Sequence, residues 1–305
     1  MPHLESDSEL GWGLKTNFFH EFQMPGKPQF STNSLGLRES GQVDGELILV
    51  LGDSFTAEAG VSNQDMWFSV LSAKLGELGG TSYRVMAGGA GGYGTAQQLI
   101  LARRIKTKID PKIVILQFCL NDYMNNHRKW ESYGVQRHQI LLRPYTEDGE
   151  VFYRSEHFLS YLYNSPLFEY WRGISFLDLL VQAVEHRMYG SYFRPLDADQ
   201  EGQIELASFE LTTMLLAKLR REFPQAEAYL LNVADMSLLS SQSWQKMAQS
   251  AGYQPLERHI RDLKEAVEAQ ESIYFPDGVH WNAAGNHIVG RSVAHEIYEY
   301  RQSKL

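Results

Sequence analysis

The sequence predicts an α/β fold of three layers, in which helices cover both faces of a central parallel sheet. From residue 47 onward, short apolar runs alternate with longer segments of helical periodicity, and this alternation is typical of parallel sheets built from βα units. The first run, residues 47–51, is apolar throughout, as expected for a strand buried on both faces. It stops at Gly52, Asp53 and Ser54, residue types that favour a turn.

The alternating segments define the predicted elements in order. Strands are expected at residues 47–52, 83–87, 112–118, 226–233 and 272–275. Helices are expected at residues 65–78, 94–107, 202–222, 255–270 and 282–302. The second helix shows the basis of these predictions, because apolar residues recur in it with helical spacing, namely Leu99, Leu101, Ala102 and Ile105. The connections between parallel strands should be right-handed.

Two segments fall outside this rhythm. Residues 1–46 are polar with scattered aromatics, and we expect a loosely structured arm that packs on the main domain, residues 47–305. Residues 123–200 form an insertion rich in aromatics, including Tyr145, Phe152 and Trp171. It is either a cap with its own small core or a lid that shapes a pocket. Arg143 in this insertion is expected to form a salt bridge rather than to bind a carboxylate or phosphate of a ligand.

Composition limits the classes of function. The formal net charge of −9 argues against a broad surface for nucleic acid or anionic membranes. The single cysteine, Cys119, leaves no internal disulfide or cysteine-based zinc site, and it lies in an apolar run that favours a buried thiol. The sequence predicts neither a membrane span nor a signal peptide, which is compatible with a cytoplasmic protein or with an exported one whose leader was removed.

A serine nucleophile and its base are the strongest chemical signal. Ser54 follows the first strand, at the sheet edge where open α/β sheets bind ligands. A serine hydroxyl needs an adjacent base, which His280 can supply, and Asp277 can orient the imidazole. Asp277 precedes His280 by three residues, so one turn of chain can bring them together. Without the other motifs, Ser54 and Asp277 would be better explained as helix N-caps.

Four motif blocks resemble those of the SGNH (GDSL-type) hydrolase family. They are GDSFT from Gly52, AGGAGGYGT from Ala87, FCLND from Phe118 and DGVHWNAAGNHIVG from Asp277. Their order and approximate spacing agree with the family. The resemblance implies a flavodoxin-like three-layer α/β/α domain with a cap insertion, and a serine esterase that needs neither metal nor cofactor.

The resemblance also implies an oxyanion hole. Its donors would be the backbone N–H of Ser54, the backbone N–H of Gly89 and the side-chain amide of Asn121, with Gly88 as a rival to Gly89. Two positions depart from the family pattern, because Ala87 stands where an asparagine is usual and Cys119 where a glycine is usual. The neighbouring Asp53 and Asp122 are expected to be buried carboxylates that accept loop N–H groups.

The substrate class follows from weaker features. The stretch Asn33–Arg38 resembles an N-x-x-G-x-R lead-in of polysaccharide-associated members, and aromatic faces suit sugar rings. The favoured substrate is therefore an O-acetyl ester of a carbohydrate, with a small-molecule ester in second place. An O-acetyltransferase with the same triad and a non-catalytic carbohydrate-binding module are the alternatives. A metal site of Asp277, His280 and His287 is disfavoured, because His287 lies two helical turns further on.

Overall fold

The central sheet of the computed structural model has the strand order of the predicted fold. The structure describes residues 2–40, 44–131, 143–146, 149, 153–154, 198–233 and 241–304. The five parallel strands are β6 (Glu46–Gly52), β7 (Tyr83–Gly89), β8 (Ile113–Phe118), β11 (Glu227–Asn232) and β12 (Gln254–Leu256). In space they lie in the order β7-β6-β8-β11-β12, which in sequence order is the 2-1-3-4-5 arrangement of flavodoxin-like folds.

Helices cover both faces of this sheet. Helices α3 (Thr95–Ile105), α6 (Ala198–Glu222) and α7 (Ser241–Ser250) pack on one face, and α2 (Trp67–Gly79), α8 (Arg258–Glu268) and α9 (Ala283–Gln302) pack on the other. Successive strand residues alternate between the two cores: Leu49 and Leu51 point to the first, and Ile48 and Val50 to the second. The apolar character of β6 therefore reflects burial on both sides, as predicted.

One predicted strand and one predicted helix boundary are wrong. Residues 272–275 contribute only an isolated antiparallel bridge, between Tyr274 and Trp281. The fifth parallel strand is instead β12, which overlaps the start of the helix predicted at residues 255–270, and α8 begins only at Arg258. Pro255 explains the error: proline lacks the ladder N–H and usually argues against a strand, but β12 lies at the sheet edge, where proline is tolerated.

The described residues 2–40 form short strands, which differs from the loosely structured arm expected from the sequence. Antiparallel hairpins pair β1 (Leu4–Asp7) with β2 (Gly11–Leu14) and β3 (Phe19–Glu21) with β4 (Gln29–Ser31). A two-residue strand, β5 (Arg38–Glu39), joins the central sheet antiparallel to β7. The sheet is thus mixed, because this edge strand has the opposite direction to the other five.

Short elements complete the described residues. Helix α1 (Ser54–Ala57) follows β6, a single 3-10 turn spans Asn63–Asp65, and α4 (Asn121–Asn126) and α5 (Arg128–Glu131) follow β8. A small ladder pairs β9 (Pro144–Tyr145) with β10 (Tyr153–Arg154). Most of the predicted 123–200 insertion lies outside the described residues. No helix within the described ranges is both long and apolar enough to cross a bilayer.

Candidate active site

Ser54 lies at a tightly built turn between β6 and α1. The Asp53 carboxylate caps the helix by accepting the Phe55 backbone N–H at 3.0 Å. Behind the turn, the Gln117 side-chain oxygen accepts the Asp53 N–H and the Thr56 hydroxyl, each at 3.0 Å. A Cβ at Gly52 would come within 2.2 Å of this oxygen, so a larger residue would displace the Gln117 side chain. The turn thus presents a half-buried Ser54 at the carboxyl edge of the sheet.

Asp277 and His280 lie on a loop whose ends are held together by backbone hydrogen bonds. The N–H of Phe275 donates to the carbonyl of His280 at 2.9 Å, and the N–H of Gly278 donates to the carbonyl of Phe275 at 2.9 Å. Gly278 has φ +69°, a left-handed conformation that favours glycine. Both side chains project from this closed loop.

The structure places the His280 ring within hydrogen-bond distance of both Ser54 and Asp277. His280 Nε2 lies 2.8 Å from Ser54 Oγ, and His280 Nδ1 lies 2.7 Å from Asp277 Oδ2. The other carboxylate oxygen of Asp277 accepts the backbone N–H groups of Val279 at 2.9 Å and His280 at 3.0 Å. These hydrogen bonds, led by that of Val279, lower the pKa of Asp277 to about 2, so the carboxylate is ionised at neutral pH.

Phe55 packs against the imidazole of His280, and the Asn286 amide holds the loop that carries it. The ring centroid of Phe55 lies 5.0 Å from that of His280 and 4.7 Å from that of Trp281. The Asn286 side chain accepts the Trp67 N–H at 3.0 Å and donates to the Trp281 carbonyl at 2.9 Å. Asn286 is buried, and its amide thereby ties the histidine loop to α2. Asn286 was not among the predicted site residues, although a polar residue on the buried face of α9 was a usable signal.

Gly89 and Gly88 lie in different surroundings at the end of β7. Gly89 pairs with Gly52 in the sheet, and a Cβ on Gly89 would lie 2.2 Å from the Gly52 carbonyl oxygen. A Cβ on Gly88 would instead meet the core side chains of Leu37 and Leu101 at 2.7 and 2.8 Å. Gly89 is therefore the glycine packed against the Ser54 turn, which supports its choice over Gly88.

Asn121 begins α4 at the end of β8, beside two buried carboxylates. Burial raises the pKa of Asp53, and hydrogen bonds that include one from Asn121 oppose this rise. The Asp122 carboxylate accepts the Cys119 N–H and the Thr95 hydroxyl, each at 2.9 Å. Burial, followed by the charge of Asp53, raises the pKa of Asp122 well above its usual range. Both aspartates thus accept loop N–H groups, as predicted, and Asn121 lies next to the carboxylate that precedes Ser54.

Arg38 holds the loop that follows α1. Its buried guanidinium donates to the carbonyls of Thr56 at 3.4 Å, Glu58 at 2.9 Å and Val61 at 2.8 Å, and to the Asn63 side-chain oxygen at 2.9 Å. Desolvation lowers the pKa of Arg38 to about 9. The arginine of the N-x-x-G-x-R lead-in therefore supports the chain that leaves Ser54, a contact that sequence reasoning did not assign.

Other predicted groups lie away from this cluster or outside the described residues. His287 Nε2 lies 3.3 Å from Asp65 Oδ1, and no group of three potential metal ligands occurs in the described part of the chain. Tyr145 is buried, and its hydroxyl donates to the Glu131 carboxylate, which fits an aromatic core at this position. Phe152 and Trp171 lie outside the described residues.

A known protein family matches the part of the chain that contains the first three motif blocks. Residues 50–149 match the GDSL-like Lipase/Acylhydrolase family. This match indicates a carboxylic ester hydrolase. The matched stretch includes Ser54, Gly89 and Asn121, whereas Asp277 and His280 lie beyond it. No curated protein matches the chain.

Several solved structures are similar to this protein at low sequence identity. TesA is 14% identical, with 83% of this chain and 99% of that chain covered and a TM-score of 0.45. The psychrotrophic esterase EstA from Pseudoalteromonas sp. is 10% identical, with 84% and 99% covered and a TM-score of 0.47. Axe2, an acetylxylan esterase from Geobacillus stearothermophilus, is 12% identical, with 83% and 94% covered and a TM-score of 0.43.

Proposed function

We propose that the protein hydrolyses a carboxylic ester through an acyl-enzyme on Ser54, and that its natural substrate is an O-acetyl ester of a carbohydrate. The observation that carries the proposal is the line of two hydrogen bonds from Ser54 Oγ through His280 to Asp277, at 2.8 and 2.7 Å. Such a line lets one imidazole remove and return a proton while a carboxylate fixes its tautomer.

In the first half-reaction, Ser54 Oγ attacks the ester carbonyl carbon as its proton passes to His280 Nε2. Asp277 accepts a hydrogen bond from the Nδ1–H group of His280 and stabilises the imidazolium that forms. The carbonyl oxygen gains negative charge, which the N–H groups of Ser54 and Gly89 and the Asn121 amide stabilise. The tetrahedral intermediate then collapses: the carbon–oxygen bond to the alcohol breaks, and His280 donates its proton to the departing oxygen.

In the second half-reaction, water replaces the alcohol. His280 accepts a proton from the water as its oxygen attacks the acyl carbon, and a second tetrahedral intermediate forms. Its collapse breaks the bond to Ser54 Oγ, which regains the proton from His280, and the carboxylic acid leaves. A sugar hydroxyl in place of water would give acyl transfer by the same steps, so the two reactions differ only in the acceptor.

Support for a carbohydrate ester comes from the sequence. The Asn33–Arg38 lead-in resembles that of polysaccharide-associated members, and the insertion that follows Asn121 is rich in aromatics whose faces suit sugar rings. The insertion begins directly after the third motif block, which contains the proposed oxyanion donor Asn121.

Covalent labelling tests the nucleophile. A fluorophosphonate should add to Ser54, because an activated hydroxyl attacks phosphorus as it attacks a carbonyl, and peptide mass mapping locates the adduct. Ser54→Ala should abolish labelling and lower turnover by several orders of magnitude with an unchanged melting temperature. The matched control is Ser69→Ala, since the Ser69 hydroxyl donates to the Asn63 carbonyl at 2.6 Å rather than to His280, and labelling of Ser54 should persist in this variant. A label on Ser69 or on no residue would contradict the proposal.

Substrate profiling tests the acyl group and the acceptor. Release of acetate from acetylated oligosaccharides, together with faster hydrolysis of p-nitrophenyl acetate than of longer acyl esters, is the expected result. Acetyl transfer to a saccharide without hydrolysis would instead favour the transferase. Binding of the saccharide without turnover of any ester would favour a carbohydrate-binding module.

A further inference from the structure

A glycine-rich turn directly follows Gly89, the proposed oxyanion donor. Residues 90–93 close on themselves, because the N–H of Tyr93 donates to the carbonyl of Ala90 at 3.0 Å. The two central residues are Gly91 and Gly92, and Gly92 has φ +77°, as at the third position of a type II turn. Because both central residues are glycines, the peptide plane between Gly91 and Gly92 can rotate by about 180° at little steric cost. The conformation therefore needs support from outside the turn.

Side chains from three distant segments hold the two carbonyls of this turn. The indole N–H of Trp12 donates to the Gly91 carbonyl at 3.1 Å. The Gly92 carbonyl accepts from the Asn125 amide at 3.0 Å and from Arg143 Nη1 at 2.6 Å. The Gly91 carbonyl belongs to the peptide that could rotate, so Trp12 fixes its direction.

Arg143 links these contacts into one buried unit. The guanidinium is fully buried and lies over the Trp12 ring, with its central carbon 5.1 Å from the ring centroid. Its Nε donates to both oxygens of the buried Glu131 carboxylate, at 2.8 and 2.9 Å. Another hydrogen bond joins Arg143 to Gln97 in the first turn of α3. Arg143 was expected in a salt bridge, and its contacts with Gly92 and Trp12 add a connection between the insertion and the turn.

We propose that Trp12 and Arg143 are positioning residues of the ester hydrolysis: they fix the 90–93 turn so that the Gly89 N–H points to the oxygen that becomes negatively charged. The inference rests on the proposed function, in which Gly89 is an oxyanion donor. Both residues lie outside the loops that carry Ser54 and His280. The N-terminal hairpin, through Trp12, and the insertion, through Arg143, thereby affect the rate of the chemical step.

The expected signature is a loss of turnover without a loss of substrate affinity. An oxyanion donor acts mainly in the transition state, so a displaced Gly89 lowers kcat and leaves KM nearly unchanged. A misplacement of about 1 Å can cost about a hundredfold in rate, and we expect a fall in kcat of about tenfold to a hundredfold. A boronic acid, which forms a tetrahedral adduct with an active serine, should bind more weakly by a similar factor.

Trp12→Phe is the cleanest variant, because it removes the indole N–H and keeps an aromatic ring beneath Arg143. Its matched control is Trp244→Phe, since Trp244 is a buried tryptophan whose indole N–H has no hydrogen-bond partner among the described residues. Steady-state kinetics on p-nitrophenyl acetate, boronic acid inhibition and melting temperature are measured for both. Trp12→Phe should show the loss of kcat and the weaker inhibition, and Trp244→Phe should show neither.

A paired substitution tests Arg143 without leaving a buried charge. Arg143→Met alone would strand the Glu131 carboxylate, and Glu131→Gln alone would strand the buried Arg143 guanidinium, so either single change could unfold the protein. The double variant with Arg143→Met and Glu131→Gln is therefore compared with the unmodified protein, and it should lower kcat with little change in KM. A double variant with the kcat of the unmodified protein, together with a Trp12→Phe kcat equal to that of Trp244→Phe, would overturn the inference. Failure of the proposed function is distinct, because Ser54 of the unmodified protein would then resist fluorophosphonate.

Discussion

Replacing Asp277 with asparagine separates loop structure from proton handling. One carboxylate oxygen of Asp277 accepts two backbone N–H groups, and the other accepts the His280 ring. An asparagine can keep the first set through its amide oxygen. Its NH2 group would then face His280 Nδ1, which must become an acceptor. The proton would move to Nε2, and that nitrogen could no longer accept the proton of Ser54.

The size of the effect follows from the exposure of the pair. In a fully buried triad, the same change lowers turnover by about 10⁴-fold. Here the Asp277 side chain is 48% exposed. Opposite charges about 4 Å apart attract by about 1 kcal/mol in water and by about 4 kcal/mol at an effective dielectric constant of about 20. The corresponding rate factors range from about fivefold to about a thousandfold, and we expect a loss of about 10²-fold for Asp277→Asn.

Turnover of p-nitrophenyl acetate and melting temperature are measured for Asp277→Asn and Asp277→Ala. The alanine variant should lose stability as well as activity, because it also leaves the loop N–H groups without their acceptor. Asp65→Asn is the matched control, since Asp65 forms a comparable exposed pair with His287 away from Ser54. Because the pKa of Asp277 is about 2, assays above pH 4 contain the ionised carboxylate throughout. Turnover of Asp277→Asn equal to that of Asp65→Asn would refute the assigned role.

Two further substitutions test the proposed oxyanion hole. Asn121→Ala should lower kcat by about 10²- to 10³-fold with a smaller change in KM; a parallel fall in melting temperature would instead indicate a structural amide. Gly89→Ala should reduce both activity and thermal stability, because its Cβ would lie 2.2 Å from a carbonyl oxygen of β6. Gly79→Ala is the control, because a Cβ there meets no atom within 4 Å, and equal melting temperatures for the two alanine variants would contradict the close packing at Gly89.

The sequence was informative where a local pattern carries the structure. The apolar run before Ser54 and the Asp277–His280 spacing predicted three side chains. The structure joins them in series by hydrogen bonds of 2.8 and 2.7 Å through His280. The strand order also agrees with the predicted fold, because alternation of strands and helices together with right-handed connections leaves few arrangements.

The remaining contacts depend on positions far apart in the chain. Gln117 accepts from the Asp53 N–H across 64 residues, and its only sequence signal was one polar residue in an apolar strand. Arg143 donates to the Gly92 carbonyl across 51 residues of sequence, and no local sequence pattern predicts such a contact. Strand β12 was missed for a different reason, since it is short, contains Pro255 and depends on its sheet neighbour for its conformation.

The edge strand β5 has a consequence for shortened versions of the protein. A sheet edge with unpaired N–H and C=O groups is a template for pairing with another molecule. Strand β5 covers Met86 and Ala87 of β7, and the same strand supplies the guanidinium of Arg38. A chain trimmed to begin at residue 47 would uncover this edge and leave the loop after α1 without its support. Such a product would be prone to aggregate, and its inactivity would reflect the missing edge rather than the chemistry of Ser54.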